Sequence, residues 1–445
     1  MHQFSQLAIK PLSFSYNLAI ALLWLGLQFF SGSAMAVTST TPQVVTGQAH
    51  TCALSSIGTV TCWGNNSYGQ LGNGTTTGSL TPVSVTGLGS GVGAITAGAF
   101  HTCAISSSGV VCWGNNANGQ LGNGTTTQQL TPVAVGLNAV AITAGNVHTC
   151  ALILNSSLHQ MYCWGWNGYG QLGNGTTTTE LTPVRVSGLI DPLAISAGFS
   201  HTCTYDSISN RPGSGVTNCW GNNGDGQLGN NSLANALTPV MGDSGDKVTA
   251  GGGYHTCSLT NYASGGGVQC WGYNAYGQLG NGTTTTELTP VAVSGLTNVV
   301  SAITAGLFHT CTLLSNPGSV QCWGYNAYGQ LGNGTYANEL TPVAVTGLSS
   351  IMAIGSSEAS NHTCAISSSG GVYCWGNNSN GQLGNGTLSN QSSPVTVMFA
   401  DATPLNLLYN LTLIAPTNGV ITSIGIYCGT GCNGSYAIGS SVTLT

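Results

Sequence analysis

The sequence predicts an all-β chain: a seven-bladed β-propeller of four-stranded blades, followed by a short truncated C-terminal β-module. Three observations predict it. The tripeptide His-Thr-Cys occurs seven times, starting at His50, His101, His148, His201, His255, His309 and His362, at intervals of 47 to 54 residues. Each copy is followed by Cys-Trp-Gly, then Gly-Gln-Leu-Gly-Asn, and in six copies Leu-Thr-Pro-Val; the seventh has Ser392-Ser393-Pro394-Val395. No repeat carries capped helical periodicity, whereas each carries four strand-like runs. Seven four-stranded units suit radial closure, which leaves few exposed edges. A linear β-solenoid is the rival, but its repeats are shorter and neither end shows a capping unit.

Each element follows in order. In residues 1–36, Lys10 is the only formal side-chain charge before the apolar run Leu18 to Phe30, and Ala34-Met35-Ala36 supplies a small-x-small cleavage pattern. This reads as an export signal. A retained anchor is the alternative, although the run is shorter than the roughly 20 residues a helical span needs. The propeller covers 37–399, with repeats near 43–86, 92–135, 139–186, 193–241, 247–293, 299–345 and 351–397. In the second repeat, Ala94 to Ala97 is the first strand, and His101 to Ile105 and Val110 to Trp113 form a hairpin around Gly109. Thr131 to Val135 is the fourth strand, and Pro132 suits an edge. Residues 400–410 read as a linker and 411–445 as a partial β-module. The stretch from Leu411 through Val420-Ile421-Thr422 and Cys428 to Cys432 resembles the opening of an internalin-type bacterial surface repeat. It stops on the strand-like Val442 to Thr445, so a truncated module is expected.

Charge narrows the function. Charged residues make up 3% of the chain. Beyond residue 36 three basic residues, Arg185, Arg211 and Lys247, face ten acidic ones, a formal charge of −7. Three scattered cations build no basic patch, which excludes electrostatic nucleic-acid binding. At 41% apolar with a recurring pattern, the chain is folded rather than disordered.

Ala-Gly-x-x-His-Thr-Cys, Gly-x-Val-x-Cys-Trp-Gly and Asn-x-x-Gly-Gln-Leu-Gly together resemble the regulator of chromosome condensation repeat, over roughly residues 43–398. The resemblance implies a seven-bladed propeller with repeats near 50 residues. Repeat seven departs from it at Ile354 to Asn361, and repeat one starts weakly at Val44-Val45-Thr46-Gly47. The family's eukaryotic namesake is a nuclear exchange factor for a small GTPase, and none of its partner-binding residues can be matched here. A secreted bacterial member that inhibits β-lactamase by protein contact is the nearer functional analogue, which implies a binding role.

Sixteen cysteines fall into eight local pairs: Cys52 and Cys62, Cys103 and Cys112, Cys150 and Cys163, Cys203 and Cys219, Cys257 and Cys270, Cys311 and Cys322, Cys364 and Cys374, and Cys428 and Cys432. Even numbers at a repeating spacing in an exported chain read as disulfides. A metal site built from His-x-Cys and Cys is the alternative, but it lacks a fourth ligand. No metal and no cofactor are expected. The repeated histidines and tryptophans read as architecture, and the glycines of Gly-Gln-Leu-Gly as turn positions.

Function should sit where the copies differ. One variable set is the hairpin between paired cysteines, long in repeats three to five. The other follows Cys-Trp-Gly, where Tyr68, Trp166, Tyr169, Tyr273, Tyr276, Tyr325 and Tyr328 alternate with asparagines. Loops at one rim would bring these aromatics into a ring, the makeup of a protein-binding hot spot or a sugar-stacking surface. The expectation is a monomeric, secreted or surface-displayed scaffold (periplasmic as a variant) that binds an extracellular protein through one face. A carbohydrate-binding, adhesin-like module is the alternative. A hydrolase or lyase using the repeat-four acids Asp206 and Asp225 is a weaker one, since acid–base chemistry needs paired groups.

Overall fold

The computed structural model describes residues 40–207, 215–243, 247–260, 267–296, 299–315 and 318–408, and the short antiparallel pair Ile421–Ser423 and Ile426–Cys428. The expected export signal, most of the expected partial module and the expected Cys428–Cys432 bridge lie outside the described residues.

Seven four-stranded antiparallel sheets form the propeller. They span Gln43–Ser84, Ala94–Ala134, Ala141–Arg185, Pro192–Asp243, Lys247–Ala292, Val300–Ala344 and Ile351–Thr396. In every blade the strands follow chain order from inner to outer edge. Each blade is therefore built from its own consecutive strands, and none is borrowed to close the ring. The outer strand carries the proline of Thr-Pro-Val or Ser-Pro-Val, which blunts an exposed edge. The inner strands of all seven blades line a central cavity of about 200 Å³.

The blades are joined by one polar unit repeated seven times. The peptide oxygen of Gln70 accepts the indole N–H of Trp113 at 2.9 Å and the hydroxyl of Thr102 at 3.0 Å, both from the next blade. His50 Nε2 lies 3.0 Å from the same Thr102 hydroxyl. The threonine has one proton, already given to a carbonyl, so its lone pair accepts Nε2–H. That fixes the histidine as the Nε2–H tautomer. The circle completes where blade seven meets blade one: Trp63 and Thr51 donate to Gln382 O at 2.9 and 2.8 Å, and His362 Nε2 meets Thr51 at 2.7 Å. All seven tryptophans and all seven histidines are fully buried.

Apolar packing follows the same seams. Trp113 packs against Leu54, Val60, Leu71 and Val85 of the preceding blade. Two glycines show how close the fit is. Gly72 has φ +68°, and a Cβ there would lie 2.7 Å from Trp113 Nε1. A Cβ on Gly98 would lie 2.3 Å from the His101 ring and 2.4 Å from Gly145 O.

Residues 400–408, expected as a linker, instead form a clasp. Leu405 and Leu407 are buried among Val44, Ala53, Trp63, Ile366 and Val372. Leu407 O accepts Ser56 N of blade one at 2.8 Å, and Leu407 N donates to Gly370 O of blade seven at 2.9 Å. Sequence reading missed this because Leu405 and Leu407 follow the last copy of the repeat and carry none of its motif.

Within each blade the two cysteines face one another directly across the second and third strands, with Cα atoms 4.1 Å apart, and seven disulfides form. That separation is close to the roughly 4.5 Å of the narrower kind of antiparallel pair. All fourteen cysteines are fully buried. Native protein is therefore expected to take up no iodoacetamide at these fourteen positions, with full labelling only after denaturation and reduction, as read by intact mass.

Burial holds six of the ring histidines at a pKa of about 3 and His201 at about 4. Unfolding releases them to an ordinary value near 6.5. Their contribution is fully present above pH 6.5 and is lost as pH falls toward 3, by up to about 1.4 kcal/mol per pH unit for each histidine. Urea midpoints should be level above pH 7 and drop steeply between pH 6.5 and 4. A level profile through that window would mean the ring takes up protons while folded.

Candidate binding face

Antiparallel order puts two loops of every blade at the same end of the propeller: the one between the first and second strands, and the one after Cys-Trp-Gly. The second loop is held from inside. Asn66 is buried; its Oδ1 accepts Leu71 N at 2.9 Å, and its Nδ2 donates to Asn73 Oδ1, Thr75 O and Thr77 O. Gln70 Oε1 accepts Tyr68 N at 2.9 Å. The loop backbone is thus fixed, and larger side chains vary at two positions, the residue after Cys-Trp-Gly and the one before Gly-Gln-Leu-Gly; the residue between the buried asparagine and the second of these is always Ser, Ala or Gly.

The first of these positions exposes a conflict. Where it is asparagine, its side-chain oxygen accepts the amide of the buried glutamine: Gln70 to Asn65, Gln120 to Asn115, Gln227 to Asn222 and Gln382 to Asn377, at 2.7 to 2.9 Å. Where it is aromatic, at Trp166, Tyr273 and Tyr325, the partner is gone. Nε2 of Gln171, Gln278 and Gln330 is then buried with no partner among the described residues. A buried donor left unmade costs about 1–3 kcal/mol.

The seven expected aromatics do not form a closed ring; their ring contacts sort them into three groups. Tyr273, Tyr276, Tyr325 and Tyr328 are brought together across blades five and six, with Tyr276 and Tyr325 centroids 4.8 Å apart. Trp166 and Tyr169 pair edge-on in blade three at 5.1 Å. Tyr68 packs on Phe100 at 5.3 Å. Sequence reading missed the floor of the largest group. Phe199, Tyr254 and Phe308 stack in series at 5.6 Å per step, and Tyr276 lies 5.2 Å from Phe308. The signal was present, since the two residues before each histidine also differ between copies.

Asp225 takes the variable position in blade four, and burial raises its pKa above the usual carboxylate range. Burial, then Asp225 and Tyr169, raise the Tyr254 phenol; burial, then Tyr276 and Asp225, raise Tyr273; burial, then Tyr328 and Tyr276, raise Tyr325. Asp206 is elsewhere. Its carboxylate accepts the backbone N–H of Ile190 and of Asp191, the latter at 2.7 Å, beside the opposite, hairpin end of blade four. Asp206 and Asp225 are therefore separated by the length of a strand and do not form a pair.

The sequence profile of the regulator of chromosome condensation (RCC1) repeat matches residues 58–105, 109–152, 159–205, 265–313, 317–366 and 369–405. The first five matched units each run from the third strand of one blade into the second strand of the next, so each contains both ends of the Gln–Thr bond that joins them; the sixth runs from the third strand of blade seven into the 400–408 clasp. The ultraviolet-B receptor UVR8 of Arabidopsis thaliana is 33% identical over 408 residues, covering 89% of this chain and 78% of that protein. The mitochondrial RCC1 domain-containing protein RUG3 of the same plant is 30% identical over 279 residues, 58% of each chain. Among solved structures, Prp20p of Saccharomyces cerevisiae superimposes with a TM-score of 0.66 at 21% identity, covering 77% of this chain and 86% of that one. Human WBSCR16 gives 0.66 at 22%, covering 77% and 94%.

In an alkaline titration followed by phenolate absorbance, Tyr254, Tyr273 and Tyr325 should ionise above the ordinary tyrosine value near 10. Asp225→Asn should lower the midpoints of Tyr254 and Tyr273 and leave Tyr325 in place.

Proposed function

The chain belongs to the RCC1 repeat family, and from that premise we propose that it is a non-catalytic scaffold that takes a protein partner on the aromatic end of the propeller, over blades three to six. One observation carries the reading. Three blades give up the partner of a buried glutamine amide in order to hold an aromatic ring at the loop surface, while the asparagine that satisfies the amide stands in the other four. Departures from local stability of this kind mark functional positions. Tyrosine and tryptophan on fixed loops supply contact area with little ordering entropy, as hot spots do. The Prp20p structure is described with its binding to Gsp1p and histones, which supports a protein-binding use of the fold. Seven disulfides fit an oxidising compartment, so the partner is proposed to be extracellular.

Trp166→Asn, Tyr273→Asn and Tyr325→Asn separate function from folding. Each restores the amide partner and should raise stability by about 1 kcal/mol in urea titrations. Each should also weaken capture of the partner from extracellular protein by about ten-fold or more, the scale of a hot-spot residue. Leu158→Ser at the opposite end should leave capture unchanged. Glycan-array binding with no protein captured would replace the protein partner with a carbohydrate. Unaltered capture by all three variants would remove the aromatic face from the reading.

A further inference from the structure

Between its inner strand and its histidine, blade seven has six residues, 356–361, where the other blades have three. The extra length carries Ser356, Ser357 and Glu358 to the wall of the central cavity. Glu358 is 2% exposed, and its Oε1 has no hydrogen-bond partner among the described residues. It is the only titratable side chain in that lining, and no Lys, Arg or Asp accompanies it. A lone carboxyl without a counter-charge in such a place needs a reason, because burying an unpaired polar group is costly.

The rest of the wall suits one kind of guest. Thr96 Oγ1 accepts Ala144 N at 3.1 Å, Thr143 Oγ1 accepts Ala197 N at 3.2 Å, and Ser196 Oγ accepts Gly251 N at 2.7 Å. Thr46 Oγ1 accepts Ser357 N at 3.0 Å. Each of these hydroxyls accepts one backbone N–H and has a second lone pair and a proton beyond that bond. Between them stand the methyl groups of Ala97, Ala144, Ala197 and Ala305. The cavity has a volume of about 200 Å³. It is far larger than a bare ion but suits a molecule of a few heavy atoms.

We propose that the central cavity is a binding site for a small organic ammonium compound, its charged nitrogen on the Glu358 carboxylate and its short carbon stem against the alanine methyls. Acceptor oxygens around a single carboxylate match one positive charge. A guest anion would meet that carboxyl instead.

The protonation of Glu358 is coupled to occupancy. Burial raises its pKa well above the ordinary value, against a smaller lowering by its own backbone N–H. Burial favours the neutral acid, and a cation seated beside it favours the carboxylate, so binding and proton release are linked. The histidines nearby in the chain do not supply a competing charge. His309 Nε2 contacts Ser356 Oγ at 3.2 Å, and His309, His362 and His50 all have pKa values of about 3.

The test is calorimetric titration of the full chain at pH 6 with ethylammonium, with ethanol and acetate as size-matched controls, repeated in two buffers of different ionisation heat. Expected are saturable binding of ethylammonium alone and a release of protons on binding. Glu358→Gln, which keeps shape and neutrality, should weaken binding about ten-fold or more, since a charge-assisted bond is lost. Absence of ethylammonium binding, equal binding of acetate or ethanol, or binding without proton release would each overturn the proposal. These arms use the unaltered chain and stand even if the variant fails to fold. Unchanged affinity in a folded Glu358→Gln protein would overturn it as well.

Discussion

The structure depends on a peptide oxygen. In each Gly-Gln-Leu-Gly turn the glutamine carbonyl faces the next blade and accepts two donors from it, an indole N–H and a threonine hydroxyl. The histidine behind the threonine completes the set. Blades of a propeller need a way to meet at a fixed angle without a shared ladder, and apolar packing alone is non-directional. The indole N–H, the threonine hydroxyl and the peptide oxygen satisfy one another and supply the direction, and they recur seven times; the histidine joins through Nε2, while Nδ1 of six of the seven has no partner among the described residues.

Closure follows from the same unit. Many circular arrays must hold their first and last members together against loop entropy. Here the interface between blades seven and one uses the same Trp63, Thr51, His362 and Gln382 bonds as the other six. Leu405 and Leu407 then pin both blades from outside. The disulfides act within blades rather than between them. They stiffen each second-to-third-strand hairpin and leave the angle between blades to the polar unit.

Against this regularity the exceptions are informative. Trp166, Tyr273 and Tyr325 each break a hydrogen bond that the other four blades keep. Glu358 sits in the one inner loop that departs from the repeat length. Both sets oppose local stability, one at the loop end of blades three to six and the other in the wall of the central cavity.

Sequence alone determined the number of blades, the strand order within each and the pairing of the fourteen propeller cysteines. Those features are written in short-range periodicity, repeated seven times, and a repeated error is hard to make. Residue variation between copies also pointed to the loops after Cys-Trp-Gly. Only the tertiary structure decided which of those aromatics meet, because Tyr276 and Phe308 come from different blades and touch across a seam. The blade-four acids looked like neighbours in the chain, yet an extended strand rises about 3.3 Å per residue and carries them to opposite ends. Glu358 could be read as an irregularity in repeat seven. Its isolation at the axis appears only when seven inner strands converge there, since a central cavity belongs to no single repeat.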